Sequence, residues 1–115
     1  MDCIFCKIAA GEIPSVKVYE SENVLAFKDI NPVAPEHILI IPKKHISNIE
    51  DITGDDSMDI AELFLAAKEI SRERTLVEKG YRLIVNNGKA AGQEVLHLHM
   101  HIIGGKDYLG PMIAK

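Results

Sequence analysis

His97-Leu98-His99-Met100-His101-Ile102-Ile103-Gly104 is the stretch on which the reading of this chain turns. Three of the chain's five histidines stand there at strict alternation, with apolar residues between them. On a strand, residues i, i+2 and i+4 share one face and stand about 6.5–7 Å apart along the chain. On a helix, His97 and His101 would share a face and His99 would turn away. Leu98, Met100, Ile102 and Ile103 supply an apolar face, and the period of two predicts a strand over residues 95–103. That strand would carry three imidazoles into one small volume. A polar strand face in water would show the same alternation. Two chemical readings compete. In one, the three imidazoles form an open catalytic metal centre. In the other, one imidazole is a nucleophile and its neighbours handle protons and phosphate oxygens.

The bulk numbers narrow the field. A chain of 115 residues fits one domain, residues 1–115, with a modest core. Hydrophobic residues make up 47% and charged residues 26%, an ordinary globular balance. A formal charge of −4 argues against a protein that grips a nucleic-acid backbone. A nucleotide remains open, because local donors decide there. The start, Met1-Asp2-Cys3-Ile4-Phe5-Cys6-Lys7, has neither the basic region nor the apolar stretch of a signal peptide. No run reaches the length of a membrane span, so a cytoplasmic protein is expected. Two cysteines three apart in a reducing compartment suggest metal or redox chemistry rather than a structural disulfide.

Along the chain, residues 3–10 predict a short helix ended by Gly11. Residues 16–19 and 24–28 predict two strands, with Ser21-Glu22-Asn23 as a hairpin loop. Residues 29–35, with two prolines and an asparagine, read as a loop. Residues 37–41 form an apolar strand stopped by Pro42. Asp55-Asp56-Ser57 offers caps for a helix over residues 57–79, with Gly80 as its stop. Ile60, Leu63, Phe64, Ala67 and Ile70 give that helix an apolar stripe, while Leu65 and Leu76 fall outside it. Residues 81–86 predict another strand, and residues 87–93 a glycine-bearing loop. The order indicates an α+β fold: an antiparallel sheet of about five strands with one long and one short helix.

These residues resemble the histidine triad (HIT) family, and within it the Hint-like branch of nucleoside phosphoramidate hydrolases. The His97-x-His99-x-His101 run carries the resemblance. Ala34-Pro35-Glu36-His37, Ile41-Pro42-Lys43-Lys44-His45-Ile46, Phe27-Lys28-Asp29-Ile30-Asn31-Pro32 and Gly92-Gln93 support it. The motifs keep family order over nearly the whole chain. The sister branch of dinucleoside polyphosphate hydrolases typically follows its triad with Pro-Arg; here Gly104-Gly105 stands there.

The resemblance implies a HIT-like fold and a catalytic group of His99, His101, His37 and His97, with His99 as nucleophile. A neutral imidazole near its usual pKa of about 6.5 has the lone pair that attack on phosphorus needs. His101 would meet the leaving group and a phosphate oxygen, and His37 would support His99. Asn86, Gly92, Val95, His99 and His101 would hold the phosphate, and Asp29 would bind the ribose. Ile4, Phe5, Ile8, Phe27 and Ile30 would line the base pocket. Glu94 stands where well-known animal members carry a hydroxyl residue near the leaving group. A carboxylate there suits a cationic amine better than an anion. Cys3, Cys6, His45 and His97 resemble the four ligands of a structural zinc site in some bacterial relatives. Four protein ligands leave no open position, so zinc would not be required for catalysis.

The implied activity is hydrolysis of the P–N bond in purine nucleoside phosphoramidates and nucleotidyl amines, of the adenosine 5′-monophosphoramidase type, through a nucleotidyl-histidine. The implied partners are an AMP-like small nucleotide and a second copy in a homodimer, with no nucleic acid and no membrane. Two other readings stay open: a dinucleoside polyphosphate hydrolase or nucleotidyltransferase, and a non-catalytic nucleotide-binding scaffold.

Overall fold

The computed structural model describes residues 3–112. The elements run α1 (Ile4–Ala9), β1 (Lys17–Glu20), β2 (Val24–Lys28), β3 (Glu36–Pro42), α2 (Ser57–Glu73), β4 (Arg82–Ile84) and β5 (Met100–Gly104). Short 3-10 turns occupy Ile49–Asp51, Gly54–Asp56 and Lys89–Ala91. The five strands form one antiparallel sheet in the order β1-β2-β3-β5-β4. This is the α+β architecture expected from the sequence. No helix among the described residues is long and apolar enough to cross a membrane.

The sheet is apolar on both faces, and this explains the unbroken apolar runs of β2 and β3. Side chains alternate between faces along a strand. Val24 and Ala26 of β2, Ile38 and Ile40 of β3, and Met100 and Ile102 of β5 pack with Leu63, Ala66, Ala67 and Ile70 of α2. Leu25 and Phe27 of β2, and Leu39 and Ile41 of β3, pack instead with Phe5 and Ile8 of α1. His37 and His101 fall on this second face. Pairing of His37 with Ile103 and of Leu39 with His101 sets the two histidines diagonally across adjacent strands.

Several boundaries depart from expectation. The helix predicted to reach residue 79 ends at Glu73. Thr75 takes φ 56°, a left-handed conformation that turns the chain and brings Leu76 back into the α2 core. Leu76 is therefore core, whereas Leu65 is 61% exposed. Phe64, expected in the buried stripe, is 56% exposed, because it stands at the edge of the face built by Leu63, Ala67 and Ile70. The strand predicted over residues 81–86 narrows to three residues. Asp56 does not cap α2 with its side chain. Its carboxylate accepts from the Thr53 N–H at 2.9 Å and pairs with Lys44.

Two backbone positions yield opposite predictions. Thr75 is a β-branched residue in the left-handed region, which costs such residues about 1–2 kcal/mol. Asparagine tolerates that region, so Thr75→Asn should raise stability by about 1 kcal/mol and Tm by about 5 °C. Gly105 has φ 90°, and a Cβ there would stand 3.0 Å from the Pro35 Cβ and 3.2 Å from the Glu36 nitrogen. Gly105→Ala should cost about 1–3 kcal/mol, read in the same thermal unfolding series.

Candidate functional site

The histidine run is split by the fold. The strand expected from residue 95 begins only at Met100, so His101 lies on β5 while His97 and His99 precede it. The physical reason is competition for backbone partners. Pairing with β3 ends at Ile40 and Met100. Beyond that point the Leu98 N–H donates to the Ile46 carbonyl at 2.6 Å. The Pro42 carbonyl takes the His97 ring instead of a strand partner, at 2.7 Å from Nε2.

Hydrogen bonds assign the protons on the remaining rings. His99 Nδ1–H donates to the His97 carbonyl at 2.7 Å, which leaves the lone pair on Nε2. His37 Nδ1 accepts from the Val33 N–H at 3.2 Å, so neutral His37 carries its proton on Nε2. That proton faces His101 Nδ1 at 2.8 Å, with Asp29 Oδ2 3.4 Å from the same nitrogen. Neutral His101 therefore carries its own proton on Nε2. The His99 and His101 rings lie 5.2 Å apart. One imidazole thus offers a lone pair and its neighbour an N–H. Burial pushes the His101 pKa down to about 4; the positive forms of His99 and His37 add to this, and Asp29 opposes it.

His97 belongs to a different constellation. Its Nδ1 stands 3.3 Å from Cys3 Sγ and 3.6 Å from Cys6 Sγ, and its ring is wholly buried. Cys6 Sγ lies 3.3 Å from His45 Nδ1. A tetrahedral zinc with bonds of about 2.3 Å to sulfur and 2.0–2.1 Å to nitrogen sets S···N separations near 3.6 Å. The three separations agree to within 0.3 Å, and all four ligand atoms lie within 4.8 Å of one another. The surroundings fit a metal too. The Pro42 carbonyl holds the His97 proton on Nε2, Ser47 Oγ lies 3.3 Å from His45 Nε2, and the Cys6 N–H points at Cys3 Sγ at 3.4 Å. Burial and then the Cys3 side chain raise the Cys6 thiol pKa, a penalty that a bound cation would reverse.

Asp29, His37 and His101 form a second group of metal-ligand type, but its chemistry does not fit. The Val33 N–H occupies His37 Nδ1 and keeps a proton on the nitrogen that would have to ligate. Nor do His97, His99 and His101 converge on one point: the His97 ring faces the cysteines, and the backbone holds His99 Nδ1. The three-histidine metal centre that the alternation allowed is not built.

The residues expected to hold a nucleotide divide by exposure. Phe5, Ile8 and Phe27 are buried on the α1 face, and the Phe5 ring stands edge-on to His99 at 5.1 Å. Ile4 is 47% and Ile30 91% exposed. Asp29 accepts from the Asn31 N–H as well as facing His37. Asn86 is half-buried and Gly92 exposed, with Gly92 in the left-handed conformation that ends the 3-10 turn. Exposed Glu94 and half-buried Val95 line a cleft of about 480 Å³ that opens beside Cys3 and His45. Periodicity gave no sign of what Gln93 does. It is buried, accepts from the Gly88 N–H at 2.8 Å, and donates to the Ser47 and Val95 carbonyls. Those bonds fix the loop from which Gly92, Glu94 and Val95 project.

Comparison with known proteins identifies the family and agrees with the fold. The HIT domain model matches residues 10–108. The chain is 44% identical over 113 residues to a purine nucleoside phosphoramidase of Escherichia coli K12, across 98% of this chain and 94% of that protein. Among solved structures, a HIT family hydrolase from Clostridium thermocellum superposes with a TM-score of 0.92 at 50% identity, covering 98% of this chain and 97% of that one. A histidine triad protein from Clostridium difficile gives 0.91 at 50% identity, covering 96% of each chain. Cys3 and Cys6 precede the matched span, whereas His37, His99 and His101 lie within it, and with them the chain belongs to the histidine triad family.

Proposed function

We propose that this protein hydrolyses the P–N bond of purine nucleoside 5′-phosphoramidates and nucleotidyl amines, with His99 as nucleophile. The observation that carries the reading is the hydrogen bond from His99 Nδ1–H to the His97 carbonyl, because it aims the Nε2 lone pair outward from the backbone. Likeness to the Escherichia coli purine nucleoside phosphoramidase supports the substrate class. His99 Nε2 attacks the α-phosphorus, the P–N bond breaks, and the amine leaves with a proton taken from solvent, which the later attack of water on the intermediate returns. Water then cleaves the nucleotidyl-imidazole, releasing the nucleotide and restoring His99. His101 Nε2–H donates a hydrogen bond to the departing nitrogen or to a phosphate oxygen. His37 holds the His101 ring in that tautomer.

Zinc at Cys3, Cys6, His45 and His97 has a structural role in this reading, since four protein ligands leave no site for substrate. When bound, it cross-links α1, the segment after β3 and the approach to β5. A homodimer is supported by two features: β4 ends the sheet as an edge strand, and Phe64 and Leu65 expose apolar surface on α2.

Turnover of adenosine 5′-phosphoramidate tests the nucleophile. His99→Ala should lose about 10³-fold or more in kcat while binding AMP with a Kd within about tenfold of the parent. Retained turnover in that variant would remove the covalent route. Faster cleavage of dinucleoside polyphosphates by the parent would move the protein to the other enzymatic reading. His101 gives an independent check. Its NMR titration should show no protonation step between pH 8 and 5. In the unfolded chain a histidine binds its proton near pH 6.5, whereas folded His101 waits until about 4. The unfolded state holds more protons across that window, so this contribution to stability is present above it and is lost as pH falls from about 6.5 to 4.

A further inference from the structure

His97 has two jobs at once: its ring joins the cysteine–histidine cluster, and its carbonyl holds the nucleophile. The ring reaches Cys3 Sγ at 3.3 Å and Cys6 Sγ at 3.6 Å, while the carbonyl accepts from His99 Nδ1–H at 2.7 Å. A second link runs through α1. Phe5 lies between the two cysteines in sequence, and its ring meets His97 edge-on at 5.9 Å and His99 edge-on at 5.1 Å. The cysteines therefore grip both the acceptor and the wall of the nucleophilic imidazole.

We propose that Cys3, Cys6 and His45 are positioning residues for His99: metal held by them and His97 fixes the His97 carbonyl and the Phe5 ring, and so fixes the tautomer and orientation of the nucleophile. Without the metal, the His97 ring keeps its bond to the Pro42 carbonyl, but Nδ1 is held only by weak thiol hydrogen bonds from Cys3 and Cys6, and α1 loses its metal cross-link. The His97 carbonyl then gains freedom, and the His99 proton is no longer confined to Nδ1. Removal of the metal should thus impair attack more than nucleotide binding. This inference rests on His99 as nucleophile, but its main readout needs no substrate.

The test compares the full chain loaded with zinc, stripped by a chelator and reloaded with zinc. The ¹⁵N shifts of the His99 imidazole report which nitrogen carries the proton. The loaded chain should show the Nδ1–H tautomer alone. The stripped chain, still folded by circular dichroism, should show a mixture that zinc reverses. In parallel, kcat for the phosphoramidate should fall about 10–100-fold on stripping, with AMP Kd changed less than about threefold. His45 is half-buried, so its variants should fold. His45→Ala should reproduce the stripped signature, and His45→Cys, which restores a fourth ligand, should recover the single tautomer. A stripped chain that keeps both tautomer and kcat overturns the proposal. So does a loss of kcat with an unmoved tautomer, which would make the centre a fold staple only, or a chain that takes up no stoichiometric zinc. If the tautomer follows zinc but no form cleaves the phosphoramidate, the positioning role stands and the assigned substrate falls.

Discussion

The hydrogen bond from His99 Nδ1–H to the carbonyl two residues earlier is the constraint on which the site depends. An imidazole has two nitrogens and, when neutral, one proton; any acceptor that claims the proton on one side presents the lone pair on the other. Here the acceptor is the backbone, and it is available because residues 97–99 lie outside the sheet ladder. Had β5 begun at His97, that carbonyl could have been drawn into ladder pairing. The site therefore needs the strand to start late, and the Pro42–His97 contact is what delays it.

The two-faced sheet explains how this loop is held without a large protein around it. Alternation sends Val24, Ala26, Ile38, Ile40, Met100 and Ile102 to α2, where they form the main core. Among the described residues, the opposite side chains of the same strands are covered mainly by a six-residue helix, α1, with Ile13 and Val95 beside it. A helix that short is marginal on its own. Cys3 caps it with its sulfur, and Cys3, Phe5 and Ile8 bury it. The face with the weaker cover is the face that carries His37, His99 and His101. That is where a tether between α1 and the histidine segment has most effect, and where a buried pocket can be opened at least cost to the core.

Much of this was legible in the residues. Two-sided apolar strands, turn residues and the α2 stripe predicted the sheet and the long helix. The start of α2 at Ser57 fell where expected, but its end did not, because a left-handed threonine, Thr75, leaves no mark in apolar spacing. The alternating histidines pointed correctly to clustered imidazoles. They did not show that the rings would be sorted, since period two assigns all three to one face only if all three are strand. Once the strand starts at Met100, His97 is free to turn toward Cys3 and Cys6. Gln93 stayed hidden for a related reason: one buried amide that ties a loop through three bonds has no sequence period at all.

Charge at the site follows from the same arrangement. A nucleotide phosphate calls for positive charge, yet a nucleophilic imidazole must stay unprotonated. Burial already keeps His101 neutral at physiological pH. Several cations are engaged away from the histidines: Lys43 with Glu20, Lys44 with Asp56 and Asp59, and Arg74 with Glu36. Arg82 donates to the Leu109 and Gly110 carbonyls. In the proposed reading, recognition of phosphate on the histidine face is assigned to neutral donors, namely the His101 N–H, the Asn86 amide and the backbone N–H groups of the loop that Gln93 anchors. Such donors keep their direction through the reaction and do not raise the proton demand on His99. A lysine in their place would hold phosphate more strongly in the ground state and add little at the moment of attack. Burial of imidazole, costly to a charged ring, in this way favours the neutral histidines that the proposed attack by His99 requires.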